Sequence, residues 1–254
     1  MRIYTLNVNG FRGADKQPGD YVPANELREN LQNFIAAIDK IVEDEQSILI
    51  VQEFPHMSGD CSSYPFRWSV NPFYNECVEV IESIYKLIQP AHLINSEQCT
   101  VAICKEGSPW DRSDIERVHY DSRYSYGNAL LELHYDDITL LGVHVKPNKQ
   151  MWDMIFNAIK NHGKYTFIAG DFNAYELRGE MKDKPKQLRS LRYRSFVPNS
   201  IITDIKHNSS IDNIYMDEDY HFGEMLIPDI RPLDVFQTDH ILCGIEFVIE
   251  DDEV

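Results

Sequence analysis

The sequence predicts an α/β (α+β) fold built as a sandwich, with two β-sheets stacked face to face and helices on the outside. Several apolar strand-like segments follow one another without a helix between them, which favours mixed or antiparallel sheets over a doubly wound parallel sheet. Amphipathic segments of helical period separate other strands. With 254 residues, 43% of them hydrophobic, the chain is long enough for a sizeable core. We expect a single domain over residues 1–254, with a solvated acidic tail at about 250–254.

Five elements are predicted over residues 2–104. Arg2–Val8 and Thr100–Cys104 have the length and composition of strands, and Ser47–Gln52 is a continuous apolar run typical of a buried strand. Asn25–Val42 carries apolar residues at steps of three and four, which predicts an amphipathic helix. Asn71–Ile88 is the second predicted helix.

The chain from residue 115 onward is predicted to be richer in strands. Gln150–Asn161 is its one predicted helix, and it precedes a short buried strand at Tyr165–Ala169. The other predicted strands are Ile115–Asp121, Ala129–Tyr135, Ile138–Val145, Ile201–Thr203, Ser210–Tyr215 and Ile241–Ile249.

Charge and composition limit the possible functions. The formal net charge is −17, and an acidic surface repels a phosphate backbone, so tight non-specific binding of nucleic acid is not expected. A nuclease stays compatible with this charge, because a bound divalent metal and a local basic patch would bring the phosphate in. The sequence contains no run of about 18 apolar residues, so no membrane span is predicted. The five cysteines are odd in number and lack metal-ligand spacing, which favours a reducing, cytoplasmic location. No segment indicates an obligate protein partner.

The most informative segment is Ile168–Ala174, in which a buried strand stops at Gly170 and two polar residues follow. Asp171 and Asn173 are two residues apart, so in an extended backbone their side chains point to the same side. A carboxylate and an amide at one point suit a water nucleophile and a phosphate oxygen held side by side. The alternative is an Asx-rich turn that caps the strand.

Polar residues that could bind a metal, transfer a proton or hold a substrate also follow other apolar strands, although each alone has an ordinary structural explanation. Asp212 lies within Ile211–Tyr215, where a buried carboxylate is costly unless it is paired. His240 is a natural partner, because a carboxylate fixes the tautomer of an imidazole and favours its charged form. The remaining residues of this kind are Asn7, Asn9, Glu53, His144 and Asp239.

In order and context these segments resemble the endonuclease/exonuclease/phosphatase superfamily, which includes deoxyribonuclease and the abasic-site endonucleases. The segments Gly170-Asp171-Phe172-Asn173 and Thr238-Asp239-His240 match the strongest motifs of the family, and Asn7 and Glu53 match the two N-terminal ones. The resemblance spans nearly the whole chain. It implies a four-layer deoxyribonuclease-like fold, a two-sheet β-sandwich flanked by helices, and a divalent-metal phosphoesterase mechanism.

The resemblance also implies roles for individual residues. Glu53 would bind Mg²⁺, with Mn²⁺ as an alternative, and Asn7 and Asp239 would lie in or near the shell of the metal. Asp171 would orient or deprotonate the attacking water, and Asn173 would donate a hydrogen bond to the phosphoryl oxygen. His240, held by Asp212, would contact or protonate the phosphate.

Three further positions distinguish branches of the family. His144, in the segment before Pro147 and Asn148, resembles the histidine that acts in acid–base chemistry in deoxyribonuclease and the sphingomyelinase-like members. Glu97 matches the carboxylate that orients this histidine, whereas Asn148 resembles the abasic-site branch and would lie near the phosphate. The arginine that deoxyribonuclease has near the position of Tyr126 is absent, and Arg123 is the candidate replacement.

A basic segment at 178–194 follows the Asp171 motif closely. Its residues would contact the phosphate backbone beside the site, or else form the solvated face of a helix. The candidate substrate-binding residues are Asn9, Arg123, Asn148, Lys184, Lys186 and Arg189.

Three functions are compatible with these features. The favoured one is a Mg²⁺-dependent nuclease acting on DNA or, less favoured, on RNA, because His144 and the basic segment point toward it. The second is a phosphatase or phosphodiesterase acting on an inositol phosphate, a phospholipid head group or another small phosphate ester. The third is a non-catalytic binding scaffold, which the intact set of candidate catalytic residues argues against.

Overall fold

The computed structural model describes residues 1–16, 22–55, 70–90, 98–112, 129–146, 149–177, 179–220, 224–225 and 228–248. Within these residues the chain forms four α-helices, which are α1 (Ala24–Ile38), α2 (Val70–Glu82), α3 (Lys149–His162) and α4 (Lys184–Ser190). The first seven strands are β1 (Arg2–Asn7), β2 (Ser47–Pro55), β3 (Tyr85–Ile88), β4 (Gln98–Lys105), β5 (Asp111–Arg112), β6 (Leu130–Tyr135) and β7 (Ile138–His144). The others are β8 (Phe167–Asp171), β9 (Tyr193–Ser195), β10 (Asp212–Asp217), β11 (Glu224–Met225), β12 (Asp229–Arg231) and β13 (Leu242–Val248).

The described strands form two mixed sheets. Sheet A has the order β11-β13-β1-β2-β4-β3, with β12 also paired to β13, and sheet B has the order β5-β6-β7-β8-β10-β9. Each sheet contains one parallel pair near its centre, β1 with β2 in sheet A and β7 with β8 in sheet B. The neighbours of these pairs are antiparallel, and of these β6 and β7 are consecutive strands joined by a short turn.

Alternation along the strands divides the core into three layers. In β2, Ile48 and Ile50 face inward between the two sheets, whereas Leu49 and Val51 face outward and pack with α1 and α2. A third apolar layer lies between sheet B and helices α3 and α4. The order helix, sheet, sheet, helix is the four-layer sandwich that the sequence predicts.

Most predicted elements are present with end points shifted by a few residues, but two predictions are wrong. The predicted helix Asn71–Ile88 ends at Glu82, and its last four residues form β3 instead. Ile201–Thr203 is not a strand. The next residue, Asp204, forms isolated β-bridges with Ser209 and His240. The predicted strand at 115–121 and the acidic tail lie outside the described residues. Over the part of the chain that the structure describes, no helix is long and apolar enough to cross a membrane.

Candidate active site

The predicted site residues meet at one edge of the sandwich. The carboxyl ends of parallel neighbours lie at the same edge of a sheet, so β1 and β2 deliver their last residues together, as do β7 and β8. Strand β10 runs antiparallel to β8 and therefore begins at this edge. The residues brought there are Asn7 and Glu53 from sheet A, His144, Asp171 and Asp212 from sheet B, and the Asp239–His240 segment before β13.

Gly170 allows β8 to approach β7 at this edge. Its φ is +150°, and a Cβ atom at this position would lie 1.9 Å from the carbonyl oxygen of Val143. Only glycine fits such an approach without moving the backbone. His144 and Asp171 follow directly and are register partners, so the close approach places their side chains together.

A β-bulge turns Glu53 into the site. Val51 and Phe54 both pack against the outer helices although they are three residues apart, an odd interval that regular alternation does not allow. The register shift between them leaves Gln52 and Glu53 opposite the single residue Thr100. Glu53 has a φ of +53°, which is uncommon for a residue other than glycine.

The Glu53 carboxylate accepts hydrogen bonds from several neighbours. Its Oε1 lies 3.3 Å from Asn7 Nδ2 and 3.6 Å from His144 Nε2. Its Oε2 lies 2.6 Å from Gln98 Nε2 and 3.2 Å from a guanidinium nitrogen of Arg12. Burial alone opposes ionisation, but His144, Arg12 and the two amide donors outweigh it and lower the pKa of Glu53. The arrangement keeps Glu53 negatively charged, as a metal ligand must be.

Asp171 is only 2% exposed and connects the two sheets. Its Oδ2 accepts a hydrogen bond of 3.1 Å from Asn7 Nδ2, and its Oδ1 accepts one of 2.8 Å from the Asn173 N–H. His144 Nε2 lies 4.0 Å from Oδ2. Burial and the nearby Asp212 raise the pKa of Asp171 to about 8.

Asp212 and His240 form the pair that the sequence predicted. His240 Nδ1 lies 2.8 Å from Asp212 Oδ2, and both side chains are almost fully buried. Burial alone would lower the pKa of His240, but Asp212, Asp171 and Asp239 outweigh it and raise the pKa well above its ordinary value. The other oxygen, Asp212 Oδ1, is buried and has no hydrogen-bond partner within the described structure. It is available to a group that enters the site.

The donor set fits a hard divalent cation. The side chains that face each other are mainly carboxylates, with the Asn7 amide and the imidazoles of His144 and His240, and the carboxylates supply the oxygen ligands that Mg²⁺ prefers. Two triads hold possible ligand atoms within 4.8 Å of one another, one of Asp171, Asp212 and His240 and one of Asp204, Asp239 and His240. Burial raises the pKa of Asp239, and Asp204 and Glu53 add to this effect, so a cation here would relieve repulsion between acids.

His144 and Asn173 flank this acidic cluster. Burial lowers the pKa of His144 despite the opposite influence of Glu53. Asn173 is half-buried and has a φ of +45°, a value that asparagine tolerates better than most residues.

The other predicted binding residues vary in their surroundings. Asn9 is buried, and its side chain bonds the carbonyl oxygens of Gly13 and Lys16 and the guanidinium of Arg12. Its predicted contact with substrate is untested. Glu97, Arg123 and Asn148 lie outside the described residues.

Over residues 179–194 the basic segment forms α4, the turns beside it and the start of β9, and acidic residues lie close to its cations. Arg189 makes a two-pronged ion pair with Glu176, and Lys184 Nζ lies 3.8 Å from Asp153. Lys186 lies 3.3 Å from Asp183. These contacts offset part of the positive charge, and the predicted role in substrate binding stays a prediction.

Three residues of the site were not singled out from the sequence. Arg12 and Gln98 hold Glu53, and Thr203 contacts the backbone beside Asp212. Each lies in a segment without apolar periodicity or at the first residue of a strand, so no pattern in the sequence marks it. Only the tertiary contacts reveal these residues.

Comparison with solved structures shows that this fold is shared with several nucleases and with an endonuclease/exonuclease/phosphatase protein. The endonuclease domain of TRAS1, a telomere-specific non-LTR retrotransposon, superposes with a TM-score of 0.60 and 13% identity over 98% of this chain and 99% of that chain. An AP endonuclease from Archaeoglobus fulgidus superposes with a TM-score of 0.58 and 14% identity, over 97% of this chain and 99% of that chain. An endonuclease/exonuclease/phosphatase protein from Beutenbergia cavernae superposes with a TM-score of 0.60 and 11% identity, over 98% of this chain and 71% of that chain. No protein-family model matches the chain, and no curated protein matches it by sequence.

Proposed function

We propose that this protein is a metal-dependent phosphodiester hydrolase, and specifically a Mg²⁺-dependent nuclease that acts on DNA in preference to RNA. The observation that carries the proposal is one connected cluster in which Asn7 bonds both Glu53 and Asp171, and the Asp212–His240 pair lies beside Asp171. The structures it resembles include nucleases by name, which supports the same reaction class.

Glu53 and Asp239 would hold the metal, with Asn7 beside them. Mn²⁺ would serve as an alternative ion, because it accepts the same oxygen ligands. When bound, the ion supplies positive charge that offsets the charge developing on the phosphoryl group. Arg12 and Gln98 would keep the Glu53 carboxylate oriented, since both bond its Oε2.

Asp171 would orient the attacking water and accept its proton. Both of its oxygens already receive hydrogen bonds, one from Asn7 and one from the Asn173 N–H, so the carboxylate is fixed in direction. Asn173 follows on the same loop, and its side chain would donate to a phosphoryl oxygen as negative charge builds.

His240 would bind the phosphate through its second ring nitrogen. Its Nδ1 is occupied by Asp212, which orients the ring and favours its charged form, so that the Nε2–H would donate to a phosphoryl oxygen. His144 lies across the site within 4.0 Å of both Glu53 and Asp171 and would give a proton to the leaving group or take one from water. A cytoplasmic location agrees with the four described cysteines, which are all free thiols.

The alternative is a phosphatase or phosphodiesterase acting on a small phosphate ester. The charge of −17 and the ion pairs of Lys184, Lys186 and Arg189 favour it, because they leave less free positive charge for a polymer. Charge reversal of Lys184 and Lys186 distinguishes the two. A nucleic acid substrate predicts a salt dependence of binding that is flatter by about one unit of slope for each lost phosphate contact. An unchanged slope favours the small substrate.

The test of the reaction class is a panel of DNA, RNA and small phosphate esters, assayed with Mg²⁺, with Mn²⁺ and with a chelator. We expect hydrolysis only with a metal, and a loss of about 10²- to 10⁴-fold in both Asp171→Asn and His240→Ala. His134→Ala is the matched control, because this half-buried histidine lies on β6 toward the opposite edge of sheet B. Hydrolysis that survives both site substitutions would overturn the assignment, and no hydrolysis of any ester would favour a binding scaffold.

A further inference from the structure

Thr203 is fully buried and lies outside the strands, between the starts of β10 and β13. Its Oγ1 accepts hydrogen bonds of 2.9 Å from the backbone N–H groups of Ile211 and Asp212. Its carbonyl oxygen accepts one of 2.9 Å from the N–H of Ile241, the residue after His240. One residue therefore bonds the backbone beside both members of the Asp212–His240 pair, of which Asp212 begins β10 and His240 lies in the segment before β13.

The start of β10 needs such a partner. Strand β9 pairs with β10 only from Tyr215 to Asp217, so the outer edge of β10 at Asp212 has no neighbouring strand among the described residues. Buried backbone N–H groups without a partner are rare because they are costly. The hydroxyl oxygen of Thr203 takes the place of the missing strand at this edge.

The turn that carries Thr203 is itself held firmly. Thr203 and Asp204 both donate their N–H groups to the carbonyl oxygen of Ser209, and the Asp204 carboxylate accepts bonds from the N–H of His207 and the hydroxyl of Ser209. The N–H of Ile205 donates to the carbonyl oxygen of Asp239 over 2.7 Å. The turn 203–209 is thus closed on itself and bound to the segment that bears His240.

We propose that Thr203 is a positioning residue that sets the distance and direction between Asp212 and His240. It fixes the backbone on each side of the pair, and the pair then presents the free His240 nitrogen to the phosphate. This role deepens the proposed function and rests on it for its catalytic consequence, but the geometry it predicts is measurable without substrate.

The direct test uses the ring N–H proton of His240 in the free protein. A histidine Nδ1–H bonded to a carboxylate gives a downfield proton resonance, which is assigned here by its loss in His240→Ala. We expect this resonance to disappear or move upfield in Thr203→Val, which keeps the shape but removes the hydroxyl. Thr203→Ser restores the hydroxyl and should retain the signal.

Thr166→Val is the matched control. Thr166 is also buried, and its Oγ1 accepts the N–H of Thr139 over 3.1 Å, but it lies at the opposite edge of sheet B. Its replacement removes a similar hydrogen bond and should leave the His240 resonance unchanged. In turnover, Thr203→Val should lower kcat by about 10- to 100-fold with KM nearly constant, and Thr203→Ser should recover most of the rate.

Three results would overturn the positioning role. They are an unchanged His240 resonance in folded Thr203→Val, an equal loss of it in Thr166→Val, and rapid hydrogen exchange of the Ile211 and Asp212 amides in the wild type. The exchange measurement decides the question if Thr203→Val does not fold, because protection equal to that of Ile214 inside β10 is expected. A resonance that behaves as expected in a protein without phosphodiesterase activity would sustain the positioning role and contradict the proposed function.

Discussion

The two ends of strand β10 carry buried aspartates with opposite surroundings. Asp217, at the end away from the site, lies 2.9 Å from Lys164 Nζ, so its charge is paired with a cation. Asp212, at the site edge, has only His240 as a charged partner that could balance it, lies beside Asp171, and leaves one oxygen without a partner in the described structure. The same residue type thus stabilises the fold at one edge and is left under-satisfied at the other. Such incomplete satisfaction is typical of a functional site.

The largest expected effect separates the two aspartates by activity. Asp212→Asn should lower the rate of phosphodiester hydrolysis by about 10²- to 10⁴-fold, because His240 loses the carboxylate that orients and charges it. Asp217→Asn removes the same charge from the same strand, about 17 Å away at the strand rise, and should leave the rate within about twofold. Initial rates of the two variants decide this. Equal losses would mean that the site edge has no special role.

A smaller effect concerns the close approach of β7 and β8. Gly170→Ala should lower the free energy of unfolding by about 3 kcal/mol, because the new methyl group meets the backbone carbonyl of Val143, which cannot move away without breaking the ladder. Gly142→Ala is the control on the neighbouring strand, where the methyl would lie 2.9 Å from the Cγ2 atom of the Ile50 side chain. The control should cost about 1 kcal/mol, since a side chain can shift. Denaturant unfolding measures both, and a costlier Gly142→Ala would contradict the account.

The smallest expected effect is a dependence of stability on pH. The pKa of Asp171 is about 8 in the folded protein, above the ordinary value of 3.8, so the folded state binds this proton more tightly than the unfolded state does. The contribution of Asp171 to stability therefore falls as pH rises from about 4 to about 8. In chelator, Asp171→Asn should be more stable than the wild type at pH 8, with the difference vanishing near pH 4.

Asp217→Asn should instead lower the stability, because it breaks the ion pair with Lys164. Urea unfolding at several pH values, without metal, compares the two variants. A wild type that is as stable as Asp171→Asn throughout this range would show that ionisation of Asp171 does not destabilise the folded state.

The sequence was sufficient to predict the layers of the fold and most residues at the site edge. Asn7, Asp171 and His144 end apolar strands, and a strand end is visible in a single sequence because the composition changes there. Parallel pairing then brings such ends together. The pairing of Asp212 with His240 was predictable because a carboxylate between apolar neighbours needs a partner.

The rest depends on contacts between distant segments. Glu53 points into the site only because a bulge forms opposite Thr100, and the bulge is visible only once β2 and β4 are paired. The apolar periodicity of Asn71–Ile88 does not reveal that its last residues pair with β4 as a strand. Thr203 was assigned to the predicted strand Ile201–Thr203, whereas in the structure its hydroxyl oxygen accepts hydrogen bonds at the edge of β10 in place of a neighbouring strand.

The most direct measurement of the central claim follows the oxygen of the attacking water. Wild-type protein is incubated in ¹⁸O-labelled water with Mg²⁺ and either a DNA oligonucleotide or a small phosphodiester. The masses of the products are then determined by mass spectrometry. Water attack at phosphorus predicts cleavage with one ¹⁸O atom on the product phosphate, and no cleavage when a chelator removes the metal. Cleavage without metal, label in the alcohol product, or no cleavage of either substrate would contradict the account.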